Sequence, residues 1–176
     1  MKHSKLAVFA LNLALAPALM AAPTKPSTGV QTSGDVATPR LWTLAALQKI
    51  APVQTIKTTL KGKPYTVRGV PLWALVSAAT PKLDPKSKHS ESRFVVLARG
   101  KDGYLSSFAY PDLMPDTGNQ GVFVVWEANG KPLSAKEGPF RLVVPDDKKP
   151  MRWVYNLTAI EIYDGKRLTG NNRMPR

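Results

Sequence analysis

Apolar positions recur along this chain with two periods, and the two-residue period of strands outnumbers the helical one. Leu44, Leu47 and Ile50 are spaced as one helix face, Thr43 can cap the first turn and Pro52 ends the run, which predicts a short helix. The threonine-rich alternation from Val53 to Leu60, the turn Lys61-Gly62-Lys63 and a strand from Tyr65 to Val67 predict a hairpin. Gly69-Val70-Pro71 punctuates, and Leu72, Leu75, Val76 and Ala79 predict a second helix with Pro71 in its first turn. A charged loop follows over Thr80 to Ser92. Phe94 to Ala98 and Tyr104 to Ala109, joined by Lys101-Asp102-Gly103, predict another hairpin. Pro111 to Met114 reads as one helical turn, and Val122 to Trp126, Phe140 to Val144 and Val154 to Ile162 supply three more strands. The expected fold class is α+β, mostly strands with a few short helices.

The N-terminus departs from this pattern. Lys2 and Lys5 precede an apolar run from Leu6 to Met20, and the small residues Ala21 and Ala22 follow, so residues 1–21 read as a secretory signal peptide. The run is shorter than the roughly 20 apolar residues of a membrane span. Residues 22–39, rich in Ala, Pro, Thr, Ser and Gly, are expected to form a flexible leader. A single domain over 40–176 is expected to follow, with a core large enough to fold alone. There is no cysteine, so neither a disulfide nor a thiolate metal ligand is available. The formal charge of +13 becomes +11 without Lys2 and Lys5. Such a surplus attracts anions or simply keeps the surface soluble. Export argues against nucleic acid.

Candidate chemistry is sparse. Past the leader peptide His89 is the only histidine, flanked by lysines, and Asp146-Asp147 are followed at once by Lys148-Lys149, so no zinc, copper or calcium spacing exists. A nucleophilic serine would have only His89 as base. The segment Arg99-Gly100-Lys101-Asp102-Gly103-Tyr104 is read either as a hairpin turn or as a rim offering the Asp102 carboxylate to two adjacent N–H donors of an amino-pyrimidinone ring. Arg141 opens the apolar strand Leu142-Val143-Val144. If buried it needs an anionic ligand or a carboxylate, with Glu137 and Glu127 as candidates. Trp126 and Trp153 are either core residues or stacking faces for a planar heterocycle, with Arg152 or Arg68 as a cationic lid.

Four motifs occur in order: Arg68-Gly69-Val70-Pro71-Leu72, Lys101-Asp102-Gly103-Tyr104, Asn129-Gly130-Lys131-Pro132-Leu133, and Gly138-Pro139-Phe140-Arg141-Leu142-Val143-Val144-Pro145. Together they resemble the molybdopterin-binding domain of the sulfite oxidase family, from about Thr43 to Asp164. The resemblance implies that family's fold and a pterin pocket. In the family's enzymes a cysteine thiolate bonds molybdenum, and no residue of this chain can replace it. The chain is therefore more similar to small periplasmic proteins of this fold that bind reduced pterins without metal. Those proteins signal to inner-membrane proteins controlling cyclic-di-GMP and biofilm formation. The resemblance implies a ligand such as a tetrahydropterin, a partner in the periplasmic domain of a membrane signalling protein, and a monomer when free. It also implies that Asp102 grips the pterin edge beside Tyr104, that Trp153 or Trp126 stacks, and that Arg141 with Arg68 orients the ring. The alternative expectation is a small molybdopterin-dependent oxidoreductase.

Overall fold

Alternation of covered and exposed side chains builds ten strands among the described residues, and they sort into two sheets. The computed structural model describes residues 28–169. The expected signal peptide over 1–21 lies outside the described residues. One sheet holds β1 (Val30–Gly34), β2 (Arg40–Trp42), β5 (Phe94–Gly100), β6 (Leu105–Ala109) and β10 (Leu157–Asp164), in the order β2-β1-β10-β5-β6. All its pairings are antiparallel except β1 with β10, which is parallel. The other sheet holds β3 (Gln54–Leu60), β4 (Lys63–Pro71), β7 (Phe123–Ala128) and β8 (Lys131–Pro132), with β9 (Arg141–Val143) also paired to β7.

Both sheets feed one apolar core, in which Val30, Val96, Ile160 and Ile162 of the first join Val67, Val70, Val124 and Leu142 of the second. Helix α1 (Leu44–Ile50) is capped by Thr43, whose side chain accepts from the Ala46 amide. It buries Leu47 and leaves Leu44 exposed, a narrower apolar face than its spacing suggests. Helix α2 (Leu72–Ala78) buries Leu72, Leu75 and Val76. Two single turns, α3 (Tyr110–Leu113) and α4 (Lys166–Thr169), complete the helical content beside short 3₁₀ turns at Ser90–Arg93 and Pro150–Arg152. The α+β, strand-dominated class expected from the sequence is the one observed.

Two expectations are corrected. The leader expected over 22–39 is not flexible where it is described, because β1 fills the gap between β2 and β10 inside the first sheet. Its polar composition conceals this burial. Thr32 is fully buried, yet its hydroxyl donates to the Arg40 carbonyl (3.2 Å) and accepts from the Trp42 indole (3.1 Å), so burial leaves no polar atom stranded. The buried Asp35 accepts the Asp164 amide at 3.0 Å and pairs with Arg167. The Gly69-Val70-Pro71 interruption is likewise strand, since β4 runs to Pro71 through a bulge at Arg68/Gly69. Glycine is required there by crowding, as a Cβ at Gly69 would stand 2.1 Å from the Val124 carbonyl oxygen.

Gly34 tests the corrected N-terminus. It has φ +100°, and an added Cβ would lie 2.2 Å from the Ile162 carbonyl oxygen. Gly34→Ala is therefore expected to destabilise the domain by more than about 1 kcal/mol in urea denaturation. An unchanged midpoint would mean that β1 is not part of the cooperative fold.

Candidate functional site

A guanidinium with no exposed surface lies at the centre of the site. Arg141 opens β9 opposite Val125 of β7, and its side chain is wholly buried. Burying a charge requires a partner and hydrogen bonds. One terminal nitrogen, Nη1, donates to Glu137 Oε1 and to the Tyr65 hydroxyl, each at 3.0 Å. Three rings surround the cation: Tyr155 at 4.0 Å from its carbon, Trp153 at 4.8 Å and Tyr65 at 5.7 Å. Nε and Nη2 meet no protein acceptor. Burial pushes the Tyr65 hydroxyl above its ordinary pKa, partly opposed by the adjacent Arg141 charge, so the phenol stays protonated at neutral pH. Glu137 is steadied by the Ser134 hydroxyl, which donates to its second oxygen at 3.2 Å.

Beside this cluster runs a groove whose walls are tied together by Asn156. Its backbone carbonyl accepts from the Lys101 amide (2.9 Å), its amide donates to the Glu137 carbonyl (2.9 Å), and its side chain donates to the Lys136 carbonyl (2.6 Å). The β5–β6 turn and the 134–137 turn therefore face each other at a fixed spacing. Asn156 has φ +46°, a left-handed conformation that asparagine tolerates better than most residues. Between the walls lies a cleft of about 720 Å³, lined by Lys101, Asp102, Ser134, Lys136, Glu137 and Tyr155 together with Asn156. A hollow of about 250 Å³ adjoins it, lined by Asp102, Tyr104, Pro150, Trp153 and Tyr155. Asp102 and Tyr155 border both. In the turn, Asp102 Oδ1 accepts from the Tyr104 amide at 3.0 Å, and the Tyr104 hydroxyl donates to the Met151 carbonyl.

Of the six residues singled out in the sequence, the fold brings four together. Asp102, Tyr104 and Trp153 line the small hollow, and Arg141 packs on Trp153. Trp153 is only 3 % exposed, and its indole donates to the Val144 carbonyl at 2.8 Å. Arg68 and Trp126 stand apart. Arg68 pairs with Glu127 at 3.3 Å beside a depression of about 130 Å³. Trp126 is 5 % exposed and lines an apolar pocket of about 320 Å³ beyond the 133–139 loop. Of the two carboxylates considered for Arg141, Glu137 is the partner. Arg152 forms no lid over the groove but pairs with Asp147 and donates to Gln120 at 3.1 Å.

Tyr155 and Asn156 escaped the sequence reading. Tyr155 sits in what reads as a continuous apolar strand after Trp153, and only an asparagine inside that run signals a break. Metal-binding chemistry is thin: the chain has no cysteine, and among the described residues no three His, Asp or Glu side chains gather as a ligand set. What the groove offers is a carboxylate rim and a flat phenol face, and behind that face lies a buried arginine with unmet donors. That set suits a planar ring carrying N–H donors on one edge and acceptors on another.

The family described as oxidoreductase molybdopterin binding domain matches residues 21–169. Among solved structures, the chain is similar to the sulfane dehydrogenase SoxCD from Paracoccus pantotrophus, with 25% sequence identity and a TM-score of 0.58. That match covers 77% of this chain and 38% of the other, so the chain spans well under half of that protein's length. No curated protein matches.

The Arg141–Glu137 pair has a measurable consequence. Glu137→Ala leaves a buried guanidinium with only the Tyr65 hydroxyl as acceptor. Because the Glu137 side chain is 27% exposed, the cost falls below that of a fully buried pair, at about 1–3 kcal/mol in urea denaturation. Adding Arg141→Met should recover part of the loss by removing the uncompensated charge. Simple addition of the two losses would show that the pair is not coupled.

Proposed function

The chain belongs to the oxidoreductase molybdopterin binding domain family, and from that premise we propose that it is a periplasmic module binding a reduced pterin in the Arg141 groove without a metal ligand from the protein. The observation that carries this reading is Arg141, buried with two donor nitrogens unmet beside a cleft rimmed by Asp102. A pterin has N–H donors along its amino-pyrimidinone edge and acceptors at its carbonyl and ring nitrogens. The carboxylate suits the first and the guanidinium the second.

The pterin portion of the family's cofactor fits these residues. Its metal does not, because a soft thiolate ligand is missing from a chain with no cysteine. A binding module needs an output, and the resemblance to small periplasmic signalling proteins supports one: relay of pterin status to an inner-membrane protein controlling cyclic-di-GMP and biofilm formation. The formal charge of +11 left without Lys2 and Lys5 favours an acidic face on that partner. Likeness to a sulfane dehydrogenase favours the second reading, a small molybdopterin-dependent oxidoreductase.

Two measurements separate the readings. Titration with tetrahydrobiopterin should show Asp102→Asn weakening affinity by roughly 10- to 150-fold, the equivalent of about 1.5–3 kcal/mol for a hydrogen bond to a charged group. Unchanged affinity with an intact fold removes Asp102 from the site. Elemental analysis of protein taken from its native compartment should find no stoichiometric molybdenum, whereas about one atom per chain surviving dialysis would restore the oxidoreductase.

A further inference from the structure

Arg141 is wholly buried, yet two of the side chains it touches, Glu137 and Tyr155, line the cleft of about 720 Å³. The three rings around the guanidinium are held differently. Trp153 is pinned by its indole bond to Val144, and Tyr65 by its hydroxyl on Nη1. Tyr155 meets the cation through its ring face at 4.0 Å, is 39% exposed, and borders both the cleft and the smaller hollow. Nε and Nη2, which no protein acceptor satisfies, belong to the same guanidinium that this ring covers.

Building on the groove's reading as a pterin site, we propose that Tyr155 is a displaceable cover over Arg141, and that it selects for flat ligands bearing hydrogen-bond acceptors. Such a ligand displaces the phenol ring, turns its acceptors to the unmet N–H donors at the guanidinium's edge, and joins the cleft and the hollow into one cavity. The exchange trades a ring-on-cation contact for charge-assisted hydrogen bonds, which are the stronger interaction. An aromatic ligand without acceptors gains nothing over the tyrosine already there, so it leaves the cover in place. Association is then gated, since only the uncovered form is competent to bind.

Butane-2,3-dione, a small arginine-directed reagent, reads the cover without any ligand. Modification of Arg141, followed by peptide mass spectrometry, is compared with that of Arg68, whose half-exposed side chain serves as internal reference. An uncovered state populated at about 10% or less predicts that Tyr155→Ala speeds Arg141 labelling at least about tenfold, while Tyr155→Phe leaves it unchanged. Tyr155→Val carries the same test if the alanine variant does not fold. Unchanged Arg141 labelling in a folded variant overturns the cover. Stopped-flow mixing with tetrahydrobiopterin adds the second arm, in which the association rate should rise with the labelling rate. If labelling rises but tetrahydrobiopterin binds no form of the protein, the cover stands and the pterin reading falls. If tetrahydrobiopterin binds wild type and Tyr155→Ala at one association rate and labelling does not change, the cover falls and the pterin reading survives.

Discussion

Burial of one positive charge organises this half of the molecule. Without a partner, the Arg141 guanidinium could not lie inside a core made of valine, leucine and isoleucine. Its compensation comes from segments far apart in the chain: Tyr65 on β4, Glu137 in the loop before β9, and Trp153 and Tyr155 in the segment before β10. Each contact fixes where one of those segments can run. The carboxylate meets only one nitrogen of the cation, Nη1, which is why the same residue serves both as a structural centre and as the strongest sign of a ligand. A purely structural arginine would be expected to have its donors met within the protein.

The groove depends on that centre through backbone rather than side chains. Asn156 bonds to both the β5–β6 turn and the 134–137 turn, so the spacing of the two walls is set by main-chain geometry. Asp102 projects from a tight turn whose shape its own carboxylate helps to hold. Positions defined in this way vary little with surface substitutions.

Much of this was legible in the sequence, for reasons that differ between elements. The β5–β6 hairpin, α2 and the β9 strand carry strong local signals: an Asp-Gly turn, apolar residues at helical spacing, and a run of branched side chains. The motifs around Asp102 and Arg141 gave the family and two members of the site. β1 was illegible because a buried strand with a threonine at its centre has the composition of a disordered leader. The Arg40 carbonyl and the Trp42 indole, brought alongside by a turn, satisfy that threonine. Arg68 and Trp126 looked equivalent to their counterparts near Arg141, since one sequence cannot say on which side of the 133–139 loop a residue lies. Tyr155 was hidden because its exposure follows from a break in strand geometry at Asn156.

The parallel pairing of β1 with β10 joins the first described strand to the last. During synthesis β1 emerges early, but its neighbour on one side is not made until Leu157–Asp164 has left the ribosome. The sheet therefore cannot close until β10 has been made. Long-range closure of this kind is slow relative to local hairpins. A chain that finishes folding late remains threadable for longer.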